Sequence, residues 1–265
     1  MSAIARILSP VTANRFAQRA LEKTVKLCLQ CMGVGTGAGV WSSGERAMIT
    51  SALNDAGDRP CIFDVGANKG QFLSLLTEVL KHRDADIHAF EPSSCAFGTV
   101  SEMFRSDRRV HLNQMALARE VGKATLHSDE PGSGMASLTD RRLEHRNIQI
   151  SHHETVNVDS IDHYCEANSI AQIDLLKIDV EGHELDVLAG GERMLKKGGI
   201  AAVAFEFGGC NIDTRTFFQD FYYLFKDLNM SLYRIGPGGY ACPVDQYREI
   251  YEQFRTTNFF ARRAA

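Results

Sequence analysis

From Pro60 onward the chain alternates short apolar runs with longer runs in which apolar residues recur every three or four positions. The short runs hold about four to eight residues between turn-forming residues and match buried strands, while the longer runs match amphipathic helices. The pattern predicts strands at 61–66, 87–92, 110–117, 173–180, 200–207, 231–236 and 258–263. It predicts helices at 70–82, 94–105, 184–196 and 216–229. The segment 155–168 combines a strand-like run with a helix-like run.

Strands separated by helix-length segments predict βαβ units, because neighbouring parallel strands need a crossover connection that usually contains a helix. We therefore expect an α/β fold with a doubly wound, mostly parallel sheet that helices cover on both faces. The length of 265 residues fits one such domain, placed at 43–265, after an N-terminal helical segment at 1–42.

Within the N-terminal segment, the pattern predicts an amphipathic helix at 15–32. A helix that packs on the domain is favoured over one whose basic face contacts lipid or substrate. The glycine-rich segment 33–39 is interpreted as a hinge or lid, since no apolar strand precedes it as a nucleotide-binding loop would require. A further helix is expected at 45–55, capped by Ser42 or Ser43. We expect residues 1–42 to cover the cofactor or acceptor cleft.

Charge and cysteine usage narrow the functional classes. The formal net charge of −4 gives no global basic field for gripping nucleic acid. The seven cysteines are mostly scattered, which indicates reduced thiols, and the close pair Cys28 and Cys31 lacks a second pair that would favour a zinc site. Arg6 and Pro10 interrupt a signal-peptide core, and glycines interrupt the uncharged stretch 27–44. We expect a cytosolic (cytoplasmic) protein without a transmembrane segment.

In an open parallel sheet, ligands bind beyond the carboxyl ends of the strands. The first predicted strand reaches Asp64, and the following turn contains Gly66, Asn68 and Gly70. This DxGxxxG spacing differs from the GxGxxG turn that cradles a pyrophosphate, so it favours S-adenosylmethionine over NAD. Glu91 ends the second strand, where a carboxylate can accept hydrogen bonds from ribose hydroxyls.

A second group of ionisable residues lies where the strand at 173–180 opens into a helix. It contains Lys177, Asp179, Glu181 and His183, and burying four such side chains without a use would be costly. Four segments in this order and spacing resemble the FkbM family of S-adenosylmethionine-dependent methyltransferases. They are DVGANKGQF (64–72), AFEP (89–92), LKIDVEGHELDVLAGGERML (176–195) and FEF (205–207).

The resemblance implies a class I, Rossmann-like methyltransferase fold whose last strand is antiparallel. It also implies transfer of a methyl group from S-adenosylmethionine to an acceptor hydroxyl, often on a sugar or polyketide. It assigns eight residues to the cofactor: Asp64, Gly66, Asn68 and Gly70 at the methionine part, Glu91 and Pro92 at the ribose, and Asn113 and Ala116 near the adenine.

Two arrangements would activate the acceptor hydroxyl. In the first, Asp179 and Glu206 bind a divalent cation such as Mg²⁺, which acidifies the hydroxyl. In the second, no metal binds, and His183 or Glu181 acts as general base. A purely structural ion-pair network of Lys177, Asp179 and Glu181 is the alternative to both.

A basic run contains Arg141, Arg142, His145 and Arg146. It would suit a phosphorylated acceptor such as a nucleotide sugar, although a solvated helix face is favoured.

The sequence predicts an S-adenosylmethionine-dependent O-methyltransferase that acts on a hydroxyl of a glycan, a sugar or a glycosylated small molecule. A methyltransferase for nucleic acid is disfavoured by the negative charge and by the lack of an Asn-Pro-Pro-Tyr or Pro-Cys element. Methylation of another small molecule, an NAD-dependent oxidoreductase and a non-catalytic nucleotide-binding module of the same fold remain as alternatives.

Overall fold

The computed structural model describes residues 3–37, 39–41 and 43–263. Its α-helices are α1 (Ala3–Thr12), α2 (Arg15–Cys31), α3 (Glu45–Leu53), α4 (Gln71–Val79), α5 (Ser94–Phe104), α6 (Ile161–Ala167), α7 (Glu184–Ala189), α8 (Glu192–Lys196), α9 (Cys210–Thr214) and α10 (Phe218–Asp227). Its strands are β1 (Cys61–Val65), β2 (Asp86–Phe90), β3 (Val110–Asn113), β4 (Ala116–Leu117), β5 (Gly122–Ser128), β6 (His152–Asp159), β7 (Leu175–Ile178), β8 (Ala202–Phe207), β9 (Met230–Ile235), β10 (Ala241–Pro243) and β11 (Thr257–Arg263).

Within these residues, the central sheet has eight strands in the order β3-β2-β1-β7-β8-β11-β9-β10. The strands from β3 to β8 in this order pair in parallel. The last strand, β11, lies antiparallel between β8 and β9. This topology confirms the expected α/β class and the class I methyltransferase fold. A short edge strand, β10, and a separate small sheet of β4, β6 and β5 extend it.

Apolar side chains fill both faces of the central sheet, as the doubly wound pattern requires. On one face, α3, α4 and α5 bury residues such as Ile49, Leu73 and Val100 against the sheet. On the other face, α6, α7, α8 and α10 bury residues such as Val187 and Phe221. The strands are therefore apolar on both faces, and their polar residues concentrate at the strand ends.

Two predicted elements are each divided in the structure. The predicted strand 110–117 ends as β3 at Asn113, because the chain turns there and the Met115 N–H donates to the Asn113 carbonyl. The next two residues, as β4, join the small sheet beside β6. The predicted helix 184–196 divides into α7 and α8 at Gly190 and Gly191, where a Cβ on Gly190 would overlap the backbone carbonyl of Ala118. The helices α1 and α9 were not predicted.

The N-terminal segment forms α1 and α2, and the predicted helix 15–32 is confirmed as α2. The predicted serine cap of α3 is wrong for Ser43, because Gly44 holds the N-cap position and the Ser43 hydroxyl instead contacts Glu45. Ser42 lies outside the described residues. The glycine-rich segment contacts the body of the domain, since the N–H groups of Gly35 and Gly37 both donate to the Thr256 carbonyl at 3.1 Å.

In the part of the chain that the structure describes, no helix has the length and apolar character needed to span a bilayer.

Candidate active site

A cavity of about 1320 Å³ opens at the carboxyl ends of β1, β2, β7 and β8. Ten of the twelve predicted site residues line it: Asp64, Gly66, Asn68, Glu91, Pro92, Ala116, Asp179, Glu181, His183 and Glu206. The end of α2, the loop before Arg141 and the segment around Arg255 form other parts of the wall. The fold thus brings the two predicted groups, from the 64–70 turn and from the end of β7, to one cavity.

The turn after β1 approaches the end of β7 so closely that it needs glycine. Gly66 has a left-handed φ of 87°, and a Cβ at this position would overlap the backbone carbonyl oxygen of Asp179. Gly70 has a similar φ of 84°, but it packs against Phe104 and Val100 and does not line the cavity. Gly70 therefore shapes the start of α4 and does not form part of the cavity wall.

Glu91 fixes the shape of this turn from the end of β2. One carboxylate oxygen accepts the Asn68 N–H at 2.8 Å, and the other accepts the Ser93 N–H at 2.9 Å. Burial raises the pKa of Glu91 to about 7, although both backbone donors act to lower it. Each oxygen keeps a further lone pair that can accept a hydroxyl from a ligand.

Two buried oxygen atoms beside Glu91 have no hydrogen-bond partner among the described residues. They are Asp64 Oδ2 and Asn68 Oδ1, and both residues line the cavity. Complete burial raises the pKa of Asp64 to about 7, while Lys177 acts to lower it. Buried polar atoms are nearly always paired in native proteins, so these two acceptors are suited to donors on a ligand. The turn therefore fits a cofactor that carries hydroxyl and ammonium groups, as S-adenosylmethionine does.

Lys177 lies at the centre of the carboxylates beneath the cavity. Its ammonium nitrogen is 3.2 Å from Asp179 and 3.7 Å from Glu45, and the Lys177 side chain is buried. Burial alone would lower the pKa of Lys177, but the surrounding carboxylates, Asp179 and Glu45 foremost, raise it above its ordinary value. Sequence reasoning missed Glu45, since an acidic residue in a first helical turn is common and carries no signal of a distant lysine.

Glu181 pairs with a residue from the basic run. Arg141 donates to Glu181 at 2.6 Å and lies 3.4 Å from Asp213, and its side chain is only 4% exposed. Burial and the charge of Asp179 raise the pKa of Glu181 to about 7, while Arg141 acts to lower it. The favoured interpretation of the run as a solvated helix face is therefore wrong for Arg141, whose charge is balanced by carboxylates at the cavity.

His183 is held from both sides at the start of α7. Its Nδ1 is 3.0 Å from Asp186 Oδ2, and its Nε2 is 2.8 Å from the Thr139 hydroxyl. With Nδ1 protonated, the imidazole donates to the carboxylate and Nε2 accepts a hydroxyl proton. This orientation of an imidazole by a carboxylate is the arrangement found in general-base sites.

Glu184 and Glu206 differ in their surroundings. Glu184 is fully buried and accepts N–H groups from Val180 and Gly182, so it holds the turn that carries Glu181. Glu206 lines the cavity, and burial raises its pKa well above the ordinary value, with the charge of Asp179 acting in the same direction. Burial and the charge of Asp179 therefore both disfavour the charged form of Glu206.

The two residues predicted near adenine are placed differently. Ala116 lines the cavity. Asn113 does not, because its side chain accepts the Tyr164 hydroxyl at 3.1 Å and donates to the Ala89 carbonyl at 3.3 Å. These contacts tie β3 to α6 and β2.

Across the described ranges, no group of three or more His, Cys, Asp or Glu side chains is arranged to hold a metal ion. Asp179 and Glu206 both line the cavity, and Asp179 is engaged by Lys177.

Comparison with known proteins gives a consistent family. The model described as the methyltransferase FkbM domain matches residues 64–232. Three curated relatives are each 28% identical: Methyltransferase 1 of Beauveria bassiana over 148 residues, 2-O-methyltransferase NoeI of Sinorhizobium fredii over 152 residues, and hexuronic acid methyltransferase AglP of Haloferax volcanii over 150 residues. The matches cover 50%, 52% and 56% of this chain and 59%, 60% and 56% of those proteins, respectively. The chain thus spans less than two thirds of the length of the relatives it matches.

Proposed function

Because this chain belongs to the FkbM methyltransferase family, we propose that it is an S-adenosylmethionine-dependent O-methyltransferase acting on a hydroxyl of a sugar-containing acceptor. One observation carries the proposal: a single cavity joins a turn with unpaired buried acceptors to a second set of ionisable residues at the end of β7. The first set suits a cofactor and the second suits a hydroxyl that must lose a proton.

The names of two relatives support the reaction and acceptor. NoeI is named as a 2-O-methyltransferase, and AglP as a methyltransferase for hexuronic acid. Both names are consistent with a sugar hydroxyl as the methylated group in this chain.

The cofactor would be held by the turn after β1 and by the end of β2. S-Adenosylmethionine, when bound, supplies a methyl group on a positively charged sulfur. Glu91 would accept the ribose hydroxyls, while Asp64 and Asn68 would accept donors of the methionine part through the oxygen atoms that have no partner. Gly66 lets the backbone approach closely, because it carries no side chain between the turn and β7.

His183 would take the proton from the acceptor hydroxyl. Its Nε2 lies 2.8 Å from the Thr139 hydroxyl, and the acceptor hydroxyl would replace this contact after Thr139 turns away. Asp186 fixes the tautomer by accepting the Nδ1 proton and stabilises the charged imidazole after transfer. General-base catalysis of this kind contributes roughly 10²–10⁴-fold to a rate.

Asp179 would orient the acceptor. It lines the cavity with 41% of its side chain exposed, and Lys177 fixes its position. Glu181, paired with Arg141, and the half-buried Glu206 would complete the polar floor on which the sugar hydroxyls bind.

Cations at the cavity suggest that the acceptor carries a negative charge. Lys26, Arg142, Arg146 and Arg255 line the cavity. Of these only Arg142 forms an ion pair within the described residues, with the exposed Glu144. A phosphate or a sugar carboxylate on the acceptor would provide the missing counter-charge.

The proposal is tested by mass spectrometry with S-adenosylmethionine that carries a deuterated methyl group. The acceptors are a nucleoside-diphosphate hexuronic acid, a neutral oligosaccharide and RNA. We expect label on a sugar hydroxyl, release of S-adenosylhomocysteine and preference for the anionic sugar. Label on RNA alone would contradict the proposal, as would consumption of no cofactor with any acceptor.

A variant of Asp179 tests the site itself. Asp179→Asn keeps the side-chain shape and removes the charge, so the rate should fall roughly 10²–10⁴-fold while affinity for S-adenosylmethionine changes little. Asp55→Asn is the matched control, because Asp55 forms an exposed ion pair with Arg262 and does not line the cavity. Equal rates for both variants would remove Asp179 from the proposed site.

A further inference from the structure

The two N-terminal helices expose an apolar surface that the body of the protein does not cover. We define residues 3–31, which form α1 and α2, as the N-terminal arm. In the described part of this arm only Leu29 is buried. Seven large apolar side chains of the arm are exposed by 44% or more: Ile7, Leu8, Val11, Phe16, Leu21, Val25 and Leu27. Short helices that pack on little else are marginally stable in water, so this surface is suited to a partner.

The apolar side of α2 faces away from the domain. With about 3.6 residues per turn, Phe16, Leu21, Val25 and Leu27 fall on one half of the helix. The opposite half carries most of the charged residues, and it includes Lys26 and Gln30, which line the cavity. The polar half of α2 therefore faces the body, and the apolar half faces outward.

The arm and the rest of the chain carry opposite charges. Residues 3–31 contain five basic side chains and one acidic side chain, which gives a net charge of +4. The remainder contains 24 basic and 32 acidic side chains, a net charge of −8. The overall charge of −4 conceals this asymmetry, so the arm can be attracted to anionic lipid although the chain as a whole is acidic.

We propose that the N-terminal arm binds an anionic membrane surface, with its apolar half inserted among the lipids and its net charge of +4 attracted by the anionic headgroups. An amphipathic helix with a strongly apolar face, a basic polar face and low overall hydrophobicity has this property. Pairing of two arms from two copies would bring two surfaces of charge +4 together, which disfavours a dimer through this surface. Lys26 and Gln30 line the cavity, so α2 lies between the bound membrane and the cavity.

Vesicle co-sedimentation of the full chain tests the proposal. Phosphatidylcholine vesicles with and without phosphatidylglycerol are compared at physiological salt. We expect binding to the anionic vesicles, and a loss of about tenfold or more for Phe16→Gln/Leu27→Gln, since both side chains lie on the outward face. The matched control is Val121→Gln/Met103→Gln, which changes two exposed apolar residues of the body and should bind as wild type does.

A second measurement on the unmodified protein does not depend on the variants folding. Amide hydrogen exchange within residues 3–31 should slow when anionic vesicles are added, with no change elsewhere in α3 to β11. The proposal is overturned if the protein does not bind anionic vesicles, or if the arm variant binds like the control variant. It is also overturned if the protein is a dimer that the arm variant dissociates and exchange does not change with lipid. None of these readouts requires methyl transfer, so the test is independent of the proposed enzyme activity.

Discussion

The guanidinium of Arg141 donates to the carboxylate of Glu181 across 2.6 Å, which links the loop after β5 to the turn after β7. Both residues line the cavity, and the Arg141 side chain is almost fully buried. Burial alone would favour the neutral form of Glu181, and the positive charge of Arg141 favours the charged form. This pair gives the first of five expectations that experiments can check.

Arg141→Gln should destabilise the protein more at alkaline than at acidic pH. The pKa of Glu181 is about 7 in the folded protein and 4.5 ordinarily, so the folded state binds more protons between these values and stability falls as pH rises. Removing Arg141 raises the folded pKa further, so the fall continues to higher pH and is larger in total. We expect a loss of about 2–4 kcal/mol near pH 8 and a smaller loss near pH 5.5, measured by urea unfolding.

Arg142→Gln is the matched control for that measurement. Arg142 is 85% exposed and pairs with an exposed Glu144, so its removal should change stability by less than about 0.5 kcal/mol at either pH. If Arg141→Gln lost the same unfolding free energy at both pH values, the loss would not arise from the charge of Glu181.

Gly66→Ala should destabilise the fold and not only the site. The left-handed φ costs about 1–2 kcal/mol for an alanine, and the new Cβ would overlap the carbonyl of Asp179, so a total loss of at least about 2 kcal/mol is expected. Gly57→Ala, with no heavy atom within 4 Å of the new Cβ, should stay within about 0.5 kcal/mol of wild type. Similar unfolding curves for the two variants would contradict the close approach of the turn to β7.

Asp186→Asn should slow methyl transfer through His183 without weakening cofactor binding. We expect a fall in kcat of roughly 10–10²-fold, less than the roughly 10²–10⁴-fold fall for His183→Gln. The hydrogen bond from His183 lowers the pKa of Asp186, so the carboxylate that orients the imidazole carries its charge. A folded Asp186→Asn variant with the wild-type kcat would show that Asp186 does not act through His183.

Dialysis against EDTA distinguishes activation of the acceptor hydroxyl by His183 from activation by a bound divalent cation. With His183 as base, the wild-type rate should not change after dialysis. A rate that is lost and then restored by Mg²⁺ or Mn²⁺ would instead assign Asp179 and Glu206 to a cation site.

The order of elements and the residues at strand ends could be predicted from the sequence because both depend on local patterns. Apolar runs give the strands of the central sheet, and acidic residues that follow them, such as Asp64, Glu91 and Asp179, must meet at one edge of a parallel sheet. The structure brings these residues to the same cavity.

Partnerships between distant segments could not be predicted in this way. Nothing local to Glu45 or Arg141 indicates that they pair with Lys177 and Glu181, which follow at much later positions in the chain. The position of Asn113 also depends on a distant residue, because the hydroxyl of Tyr164 holds its side chain away from the cavity. Such contacts depend on how the helices and loops pack, and no short-range pattern encodes them.

The central claim is that Glu91 and the turn after β1 hold S-adenosylmethionine, and calorimetric titration of the cofactor tests it most directly. Glu91→Gln keeps the size of the side chain and removes its charge, and hydrogen bonds to a charged acceptor are worth about 1.5–3 kcal/mol each. We therefore expect at least about tenfold weaker binding for the folded variant. Glu154→Gln is the control, because Glu154 also accepts a backbone N–H, from Ser94 at 3.1 Å, but does not line the cavity. Affinity of Glu91→Gln equal to that of wild type and Glu154→Gln would contradict the account.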